Sequence, residues 1–110
     1  MEIECWKTSN GKNDVFEAID SLKNNTIKNK ILSDLEIIER SKLNNCICSG
    51  LIFPLHGTNP KIYEIKVKDV RITLYVKDHN CWLLTLFIKN SQKTPLKEIH
   101  KAERRAKNII

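Results

Sequence analysis

Alternation of apolar and polar residues predicts strands at the start of the chain and in its second half. Residues 2–7, with the sequence EIECWK, form a short run that is typical of a strand. In residues 62–67 and 70–76 the apolar side chains occupy alternate positions, which gives each run one apolar and one polar face. Residues 81–88, CWLLTLFI, are apolar on both faces, as in a strand that is covered on both sides.

Helical spacing of apolar residues predicts three helices. Asp14 and Thr26 are favourable N-caps of two helices joined by a short link, and the second of these ends near Ser41. They predict a helical hairpin ahead of the main strands. Thr94 is a favourable N-cap of the third helix and Pro95 a favourable first residue. The apolar stripe of this helix consists of Leu96, Ile99, Ala102, Ala106 and Ile109.

The order of these segments predicts the fold class. Residues 42–50 are predicted as a loop and residues 51–53 as a short strand, after which Pro54 indicates either a sheet edge or a turn. A strand, a helical hairpin, an antiparallel meander and a C-terminal helix together are typical of an α+β domain. A length of 110 residues predicts a single domain over residues 1–110.

The balance of charge changes along the chain. Residues 1–60 carry seven Lys and Arg and eight Asp and Glu, a net charge of −1, whereas residues 61–110 carry twelve and five, a net charge of +7. A basic second half favours a polyanionic partner, either nucleic acid or an acidic protein. The same count also fits a basic surface that serves only solubility.

The composition indicates a cytoplasmic protein without a metal centre. No basic region followed by an apolar run opens the chain, and no apolar stretch is long enough to span a bilayer. Cys46 and Cys48 form a C-x-C pair without a second pair at zinc-site spacing, and Cys5 and Cys81 lie in apolar runs. We therefore expect reduced thiols, no metal and no cofactor.

Several segments of the second half resemble one known family. They are Ile62-Tyr63-Glu64-Ile65-Lys66, Val70-Arg71-Ile72, the run from Leu84 to Lys89, and Gln92-Lys93-Thr94-Pro95 with Glu98, Ile99 and Ala102. Together with the helical hairpin and the Pro54-Leu55-x-Gly57 segment, they resemble the phage-derived, HigB-like branch of the RelE/ParE toxin superfamily. The resemblance covers about residues 14–106 and implies a RelE-like fold.

The resemblance also implies a function. HigB-like members are type II toxins that cleave mRNA, commonly in the ribosomal decoding site, and a cognate antitoxin, often a helix-turn-helix protein, neutralises them. ParE-like relatives share the fold but inhibit DNA gyrase, which leaves a non-nuclease inhibitor as one alternative. Lys66 and Asn90 stand where the family has Arg and Lys, so an inactive phage-derived regulatory protein is another alternative.

Metal-free RNA cleavage needs a base for the 2′-hydroxyl, cations for the phosphorane and an acid for the leaving oxygen. Arg71, which matches the family's arginine, is the first candidate for a phosphate clamp, although it can also pair with Glu64 across the strands. Lys66 is expected beside Arg71, as a second cation, a base or a solvated lysine. Lys89 matches the first lysine of the family motif and is expected to stabilise the transition state or bind the RNA backbone.

Other residues complete the predicted site. Tyr75 can stack on a base or donate a proton, or it is a half-buried strand tyrosine. His56, His79 and His100 are possible proton shuttles, though surface or structural roles are commoner. The predicted RNA-backbone contacts, assisted by the N-terminus of the last helix, are Lys93, Lys97, Lys101, Arg104 and Arg105.

Overall fold

The chain forms an α+β structure around one five-stranded sheet. The computed structural model describes residues 1–90 and 93–109. In chain order its elements are β1 (Glu2–Cys5), α1 (Asp14–Asp20), α2 (Asn25–Glu39), α3 (Leu43–Cys48), β2 (Phe53–Pro54), β3 (Tyr63–Val67), β4 (Val70–Lys77), β5 (Asn80–Ile88) and α4 (Leu96–Ile109). This order confirms the predicted α+β class and is consistent with a RelE-like fold.

The sheet is mixed, with the strand order β1-β5-β4-β3-β2. Strands β3, β4 and β5 form the predicted antiparallel meander, whereas β1 lies parallel to β5 at one edge. The pairing of β4 with β5 shifts between Thr73, which faces Thr85, and Leu74, which faces Leu83. Leu84 is therefore the additional residue of a β-bulge, and it packs on the face that α4 covers.

Each face of the sheet has its own apolar core. Helices α1, α2 and α3 contribute Ile19, Ile38 and Cys46 to the first core, where they join the inward side chains of the strands. Helix α4 contributes Ala102 and Ala106 to the second core, which contains Ile62 and Leu84 of the sheet. The small alanine side chains let this helix approach the sheet closely, so both faces are covered as the pattern of β5 predicted.

The caps of the first two helices differ from the prediction. Asn13 Oδ1 accepts a hydrogen bond from Phe16 N at 3.2 Å, and Asn24 Oδ1 accepts one from Ile27 N at 3.1 Å. The predicted caps Asp14 and Thr26 are therefore wrong by one and two residues, because asparagine is an equally good cap and precedes each of them.

The predicted loop over residues 42–50 is also wrong, because Leu43–Cys48 forms α3. This helix has only six residues and lacks a side-chain cap, so it leaves a weak sequence signal. Burial of Cys46 in the first core holds it in place. The short edge strand is confirmed next to Pro54, although it spans only Phe53–Pro54.

The start of α4 departs from the prediction as well. The helix begins at Leu96, and the hydroxyl of Thr94 donates a hydrogen bond to Glu64 Oε2 at 3.0 Å. Leu96 is 69% exposed, so the apolar stripe is buried only further along, at Ala102 and Ala106. Gln92, which belongs to the motif at this junction, lies outside the described residues. No helix in the described ranges is long and apolar enough to cross a membrane.

Candidate functional site

The register of the meander brings two predicted site residues together. Lys66 on β3 faces Arg71 on β4, and Arg71 in turn faces Phe87 on β5. All three lie on the α4 face of the sheet, because side chains alternate along a strand and the neighbouring Val67 and Ile72 enter the opposite core. The two-residue turn at 68–69 fixes this register, so the predicted proximity of Lys66 and Arg71 is confirmed.

Lys89 follows β5 and joins the same end of the sheet. Its backbone N–H donates to the carbonyl oxygen of Asp69 at 2.7 Å, which holds it beside the turn between β3 and β4. It lies two residues beyond Phe87 on the α4 face. The sheet therefore places Lys66, Arg71 and Lys89 around one corner.

A groove of about 940 Å³ opens at this corner, between the β2–β3 edge and the start of α4. Lys66, Lys89 and Lys93 supply its positive charge, and Phe53 and Leu96 supply exposed apolar surface. The remaining lining residues are Pro54, Leu55, His56, Glu64, Thr94 and Ile99. A groove with cations beside apolar surface suits an extended anionic ligand that also carries apolar parts.

A second hollow, of about 610 Å³, lies next to the groove at the beginning of α2. Arg71 and Lys68 line it together with Asn24, and Lys89 lines both the hollow and the groove. Lys89 thus stands between two concave surfaces, with Lys66 on one side and Arg71 on the other.

The guanidinium of Arg71 is held by its own strand and turn. Its Nη1 donates to the carbonyl oxygens of Lys68 at 2.6 Å and Val70 at 3.0 Å, and its Nε lies 3.8 Å from Glu64 Oε1. The side chain is only 14% exposed. Among the described residues Nη2 makes no hydrogen bond, so one nitrogen rather than a two-pronged fork is available to a phosphate.

Glu64 connects β3 to β4 and to the segment ahead of α4. Its carboxylate is buried, and it contacts Thr94 ahead of α4 as well as Arg71 on β4. In the same cross-strand row the hydroxyls of Thr73 and Thr85 lie 2.5 Å apart and are buried. Buried polar groups that satisfy one another in this way fix the positions of the strands beneath the site.

The structure adds Phe53 to the predicted site residues and places His56 at the same groove. Phe53 lies beneath the ammonium group of Lys66, whose Nζ is 4.4 Å from the ring centroid. His56 lines the groove and is exposed, whereas His79 lies in the turn between β4 and β5 and His100 is exposed on α4. The sequence predicted all three histidines as possible proton shuttles, and the structure distinguishes His56 from the other two because it lines the groove.

Comparison with known families identifies the chain. The family model described as Phage derived protein Gp49-like (DUF891) matches residues 12–107, nearly the whole chain and every residue placed in the site so far. The chain belongs to the phage-derived Gp49-like family. Members of this family are often toxins of toxin–antitoxin systems. No curated protein matches the chain.

Tyr75 of this Gp49-like protein lies away from the groove. It faces Trp82 on β5 and packs in the core beneath α4. Four residues separate it from Arg71 along β4, roughly 13 Å at the usual rise of a strand. The prediction that both residues share one face is confirmed, but the structure does not bring Tyr75 to the other predicted catalytic residues.

Arg105 of the Gp49-like chain is engaged in the interior of the structure. Its guanidinium forms a fork with the carboxylate of Asp14, with distances of 3.2 and 2.9 Å, and donates to the carbonyl oxygen of Leu84 at 2.7 Å. Its Cζ also stacks on Trp6, 4.0 Å from the ring centroid. Only 13% of the side chain is exposed, so these contacts link α4 to α1 and the sheet.

The other predicted backbone contacts of the Gp49-like chain are more accessible. Lys93 is exposed and lines the groove, Lys97 and Arg104 are exposed on α4, and Lys101 is half-buried. Of the five predicted RNA-binding residues, three are thus exposed, and Lys101 and Arg105 are partly buried.

Three of the four cysteines of the Gp49-like chain are buried thiols with a raised pKa. Burial raises the pKa of the Cys81 thiol to about 12, and burial also raises the pKa of Cys5 and Cys46 above the ordinary value of 9.0. All four cysteines are free thiols, and only Cys48 is exposed. The three buried thiols therefore stay protonated at neutral pH and do not act as nucleophiles.

Proposed function

We propose that the chain is the toxin of a type II toxin–antitoxin system and that it cleaves mRNA at the ribosome without a metal ion. In this proposal it belongs to the HigB-like branch of the RelE/ParE superfamily. Membership of a family that often supplies toxins supports the first part. The convergence of Lys66, Arg71 and Lys89 at one corner of the sheet, where the groove adjoins the hollow, carries the second, because a phosphate-cleaving site needs several cations around one anion.

The cations would act on the charge that develops during cleavage. The ribose 2′-oxygen attacks the adjacent phosphorus, the bond from phosphorus to the 5′-oxygen breaks, and a 2′,3′-cyclic phosphate remains. Lys66 and Lys89 line the groove and would stabilise the additional negative charge on the phosphorane. Arg71 would contribute Nη2 from the neighbouring hollow, and its anchored Nη1 would keep the guanidinium in place.

His56 is the best-placed group for proton transfer. It lines the groove that Lys66 and Lys89 also line, and imidazole can take or give a proton near neutral pH. We assign His56 the removal of the proton from the 2′-hydroxyl. Lys66, which acts as an ammonium group at the phosphorane, would then protonate the leaving 5′-oxygen.

The proposed partners follow from the charge of the groove. The RNA backbone would bind on the α4 side, which gives affinity without sequence preference. The residues that would contact it are Lys93, Lys97, Lys101 and Arg104. A cognate antitoxin, which we expect to be a helix-turn-helix protein, would neutralise the toxin by covering this surface with acidic residues. Ribosomes and mRNA place the activity in the cytoplasm.

Primer extension on cellular mRNA after brief induction tests the nuclease proposal. We would compare the wild type with Lys89→Ala, because the Lys89 side chain lines the groove while its backbone hydrogen bond to Asp69 survives the substitution. Lys77→Ala is the matched control, since Lys77 is an exposed lysine at the far end of β4. Removing one transition-state donor typically costs about 100-fold in rate or more.

The outcome separates three functions. New 5′ ends within codons in the wild type and the Lys77→Ala control, but not in Lys89→Ala, would support cleavage at this groove. Growth arrest with intact mRNA would disprove the nuclease proposal and favour a protein target such as DNA gyrase. Neither arrest nor cleavage would favour an inactive regulatory protein, in line with the departures at Lys66 and Asn90.

A further inference from the structure

We propose that Phe53 is a nucleobase-stacking residue and that it takes the base next to the phosphate that Lys66 binds. This inference rests on the proposed function, because it assumes that the groove binds single-stranded RNA. It adds a binding surface that the cations alone do not provide, and it assigns a role to an aromatic residue outside both cores.

The position of Phe53 is unusual for a phenylalanine. Its side chain is 37% exposed and belongs to neither apolar core. It lies on β2, the edge strand, directly opposite the buried Glu64, and forms part of the groove wall. Leu96, which is 69% exposed, lines the same groove from the start of α4. Aromatic and aliphatic surface therefore lies beside the lysines.

A nucleotide can replace the ammonium group of Lys66 on the face of the Phe53 ring. A cation over an exposed aromatic face is worth about two- to fivefold in an equilibrium constant. Stacking of a base on an aromatic ring is worth about five- to 150-fold per base. A base can therefore displace Lys66 Nζ from its position 4.4 Å above the Phe53 ring, and the displaced ammonium can then bind the phosphate of the same nucleotide.

The combination of charge and aromatic surface in the groove favours single-stranded RNA over an acidic protein. Within the described ranges, the groove is lined by three lysines and by one carboxylate, that of Glu64, which already has Thr94 and Arg71 as partners. Cations that follow a backbone, with an aromatic side chain on which bases stack, are the usual means of binding single-stranded nucleic acid. An acidic protein segment would use the lysines but would leave the face of the Phe53 ring without a stacking partner.

Two oligomers that differ only in their bases test the proposal. One is a short single-stranded 2′-O-methyl RNA, which blocks attack by the 2′-oxygen, and the other is an abasic oligomer with the same sugars and phosphates. The full chain should bind the first about five- to 150-fold more tightly than the second, as measured by fluorescence anisotropy. Phe53→Leu should bring this ratio close to one, while Phe53→Trp should retain or raise it.

Two further variants separate stacking from charge and from folding. Lys66→Ala should weaken the binding of both oligomers through the lost phosphate contact. Their ratio should be retained or rise by up to about fivefold, because a base no longer has to displace the ammonium group from the ring. Ile37→Ala, which truncates a similarly exposed apolar residue on α2, should change neither affinity. Thermal unfolding of every variant shows whether a loss of binding reflects a loss of structure, and Phe53→Trp keeps an aromatic ring if Phe53→Leu fails to fold.

Each result decides the proposal in a different way. If Phe53→Leu weakens the binding of both oligomers equally, or if the wild type binds both equally well, the stacking role is overturned while RNA binding stands. If the wild type binds neither oligomer, the RNA-directed function fails together with the stacking role, and a protein ligand of the groove becomes the better explanation. Loss of the base-dependent difference in Phe53→Leu, with its retention in Phe53→Trp, would support the proposal.

Discussion

The two ends of the α4 face use positive charge in opposite ways. At the end beneath the helix, the guanidinium of Arg105 is held by Trp6, Asp14 and the carbonyl oxygen of Leu84, and its side chain is only 13% exposed. At the open end, the exposed Lys66 and the half-buried Lys89 line a groove of about 940 Å³. Both ends belong to the basic second half of the chain, yet only one of them can offer its charge to a ligand.

The difference shows what a charge pattern leaves undetermined. A guanidinium has five donors in a planar fork and stacks on aromatic rings, so it can fasten several elements to one another. A lysine on a strand reaches solvent through a flexible stem, so it stays available above the sheet. A net charge counts both equally, whereas their contacts assign one to stability and the other to recognition.

The largest expected effect tests the covered end. Arg105→Ala should destabilise the fold by about 3–4 kcal/mol, because it removes three hydrogen bonds and leaves Asp14 without its partner. Arg104→Ala, at the exposed neighbouring position, should change stability by less than about 0.5 kcal/mol. Urea unfolding followed by circular dichroism measures both values.

The RNA affinity of Arg105→Ala, measured at low temperature and without denaturant, completes this test. If folded Arg105→Ala binds RNA as the wild type does, Arg105 contributes through structure alone. A variant that keeps full stability but loses RNA affinity would contradict the assignment and return Arg105 to the binding surface, as the sequence first suggested.

Much of the fold could be predicted from the sequence because its signals are local. Period-two alternation located β3 and β4, and a run that is apolar on both faces located β5. The two-residue turn between β3 and β4 fixed their register, whereas the bulge at Leu84 in the pairing of β4 with β5 had no signal in the sequence. The six-residue helix α3 was missed because burial of Cys46, rather than its own helical propensity, holds it in place. The parallel pairing of β1 with β5 joins segments about 80 residues apart, and no local pattern predicts such a pairing.

In the candidate site, too, the sequence predicted the contacts between neighbouring segments and missed those between distant ones. Lys66 and Arg71 could be placed together because a two-residue turn joins their strands. The contact of Arg105 with Asp14 spans 91 residues of sequence, so no local pattern marks it as structural. Phe53 reaches the groove from a two-residue edge strand, and the only hint was an isolated aromatic residue next to Pro54.

An intermediate effect is expected at Arg71, which combines the roles of the two ends. Arg71→Met should destabilise the fold by about 2 kcal/mol, because it leaves the buried Glu64 carboxylate without its cation and the turn carbonyl oxygens without a donor. Adding Glu64→Gln should recover about 1 kcal/mol, since the second substitution removes the unpaired buried charge. Urea unfolding of the two single variants and the double variant gives this coupling.

Activity should not follow stability in this series. The double variant still lacks the Arg71 cation, so mRNA cleavage should remain as low as in Arg71→Met after stability has partly returned. Recovery of cleavage together with stability would show that Arg71 acts only by holding Glu64 and the turn in place. Lys66 and Lys89 would then be the catalytic cations of the groove.

The smallest effect extends the comparison to the opposite face of the sheet, which α1, α2 and α3 pack and whose core contains the buried thiol of Cys81. Burial raises the pKa of Cys81 from 9.0 to about 12, so above pH 9 the unfolded chain releases this proton while the folded chain retains it. The stabilisation is therefore complete below pH 9 and is lost as the pH rises towards 12.

Cys81→Ala isolates this contribution. Between pH 8.5 and 10 the wild type should lose about 1 kcal/mol more stability than Cys81→Ala, because the cavity left by the substitution costs the same at every pH. Cys48→Ala, which removes an exposed thiol, should show the slope of the wild type. Urea unfolding at each pH gives the slopes. Equal slopes in all three proteins would mean that water reaches Cys81, and the core on this face would then be less tightly closed than the one beneath α4.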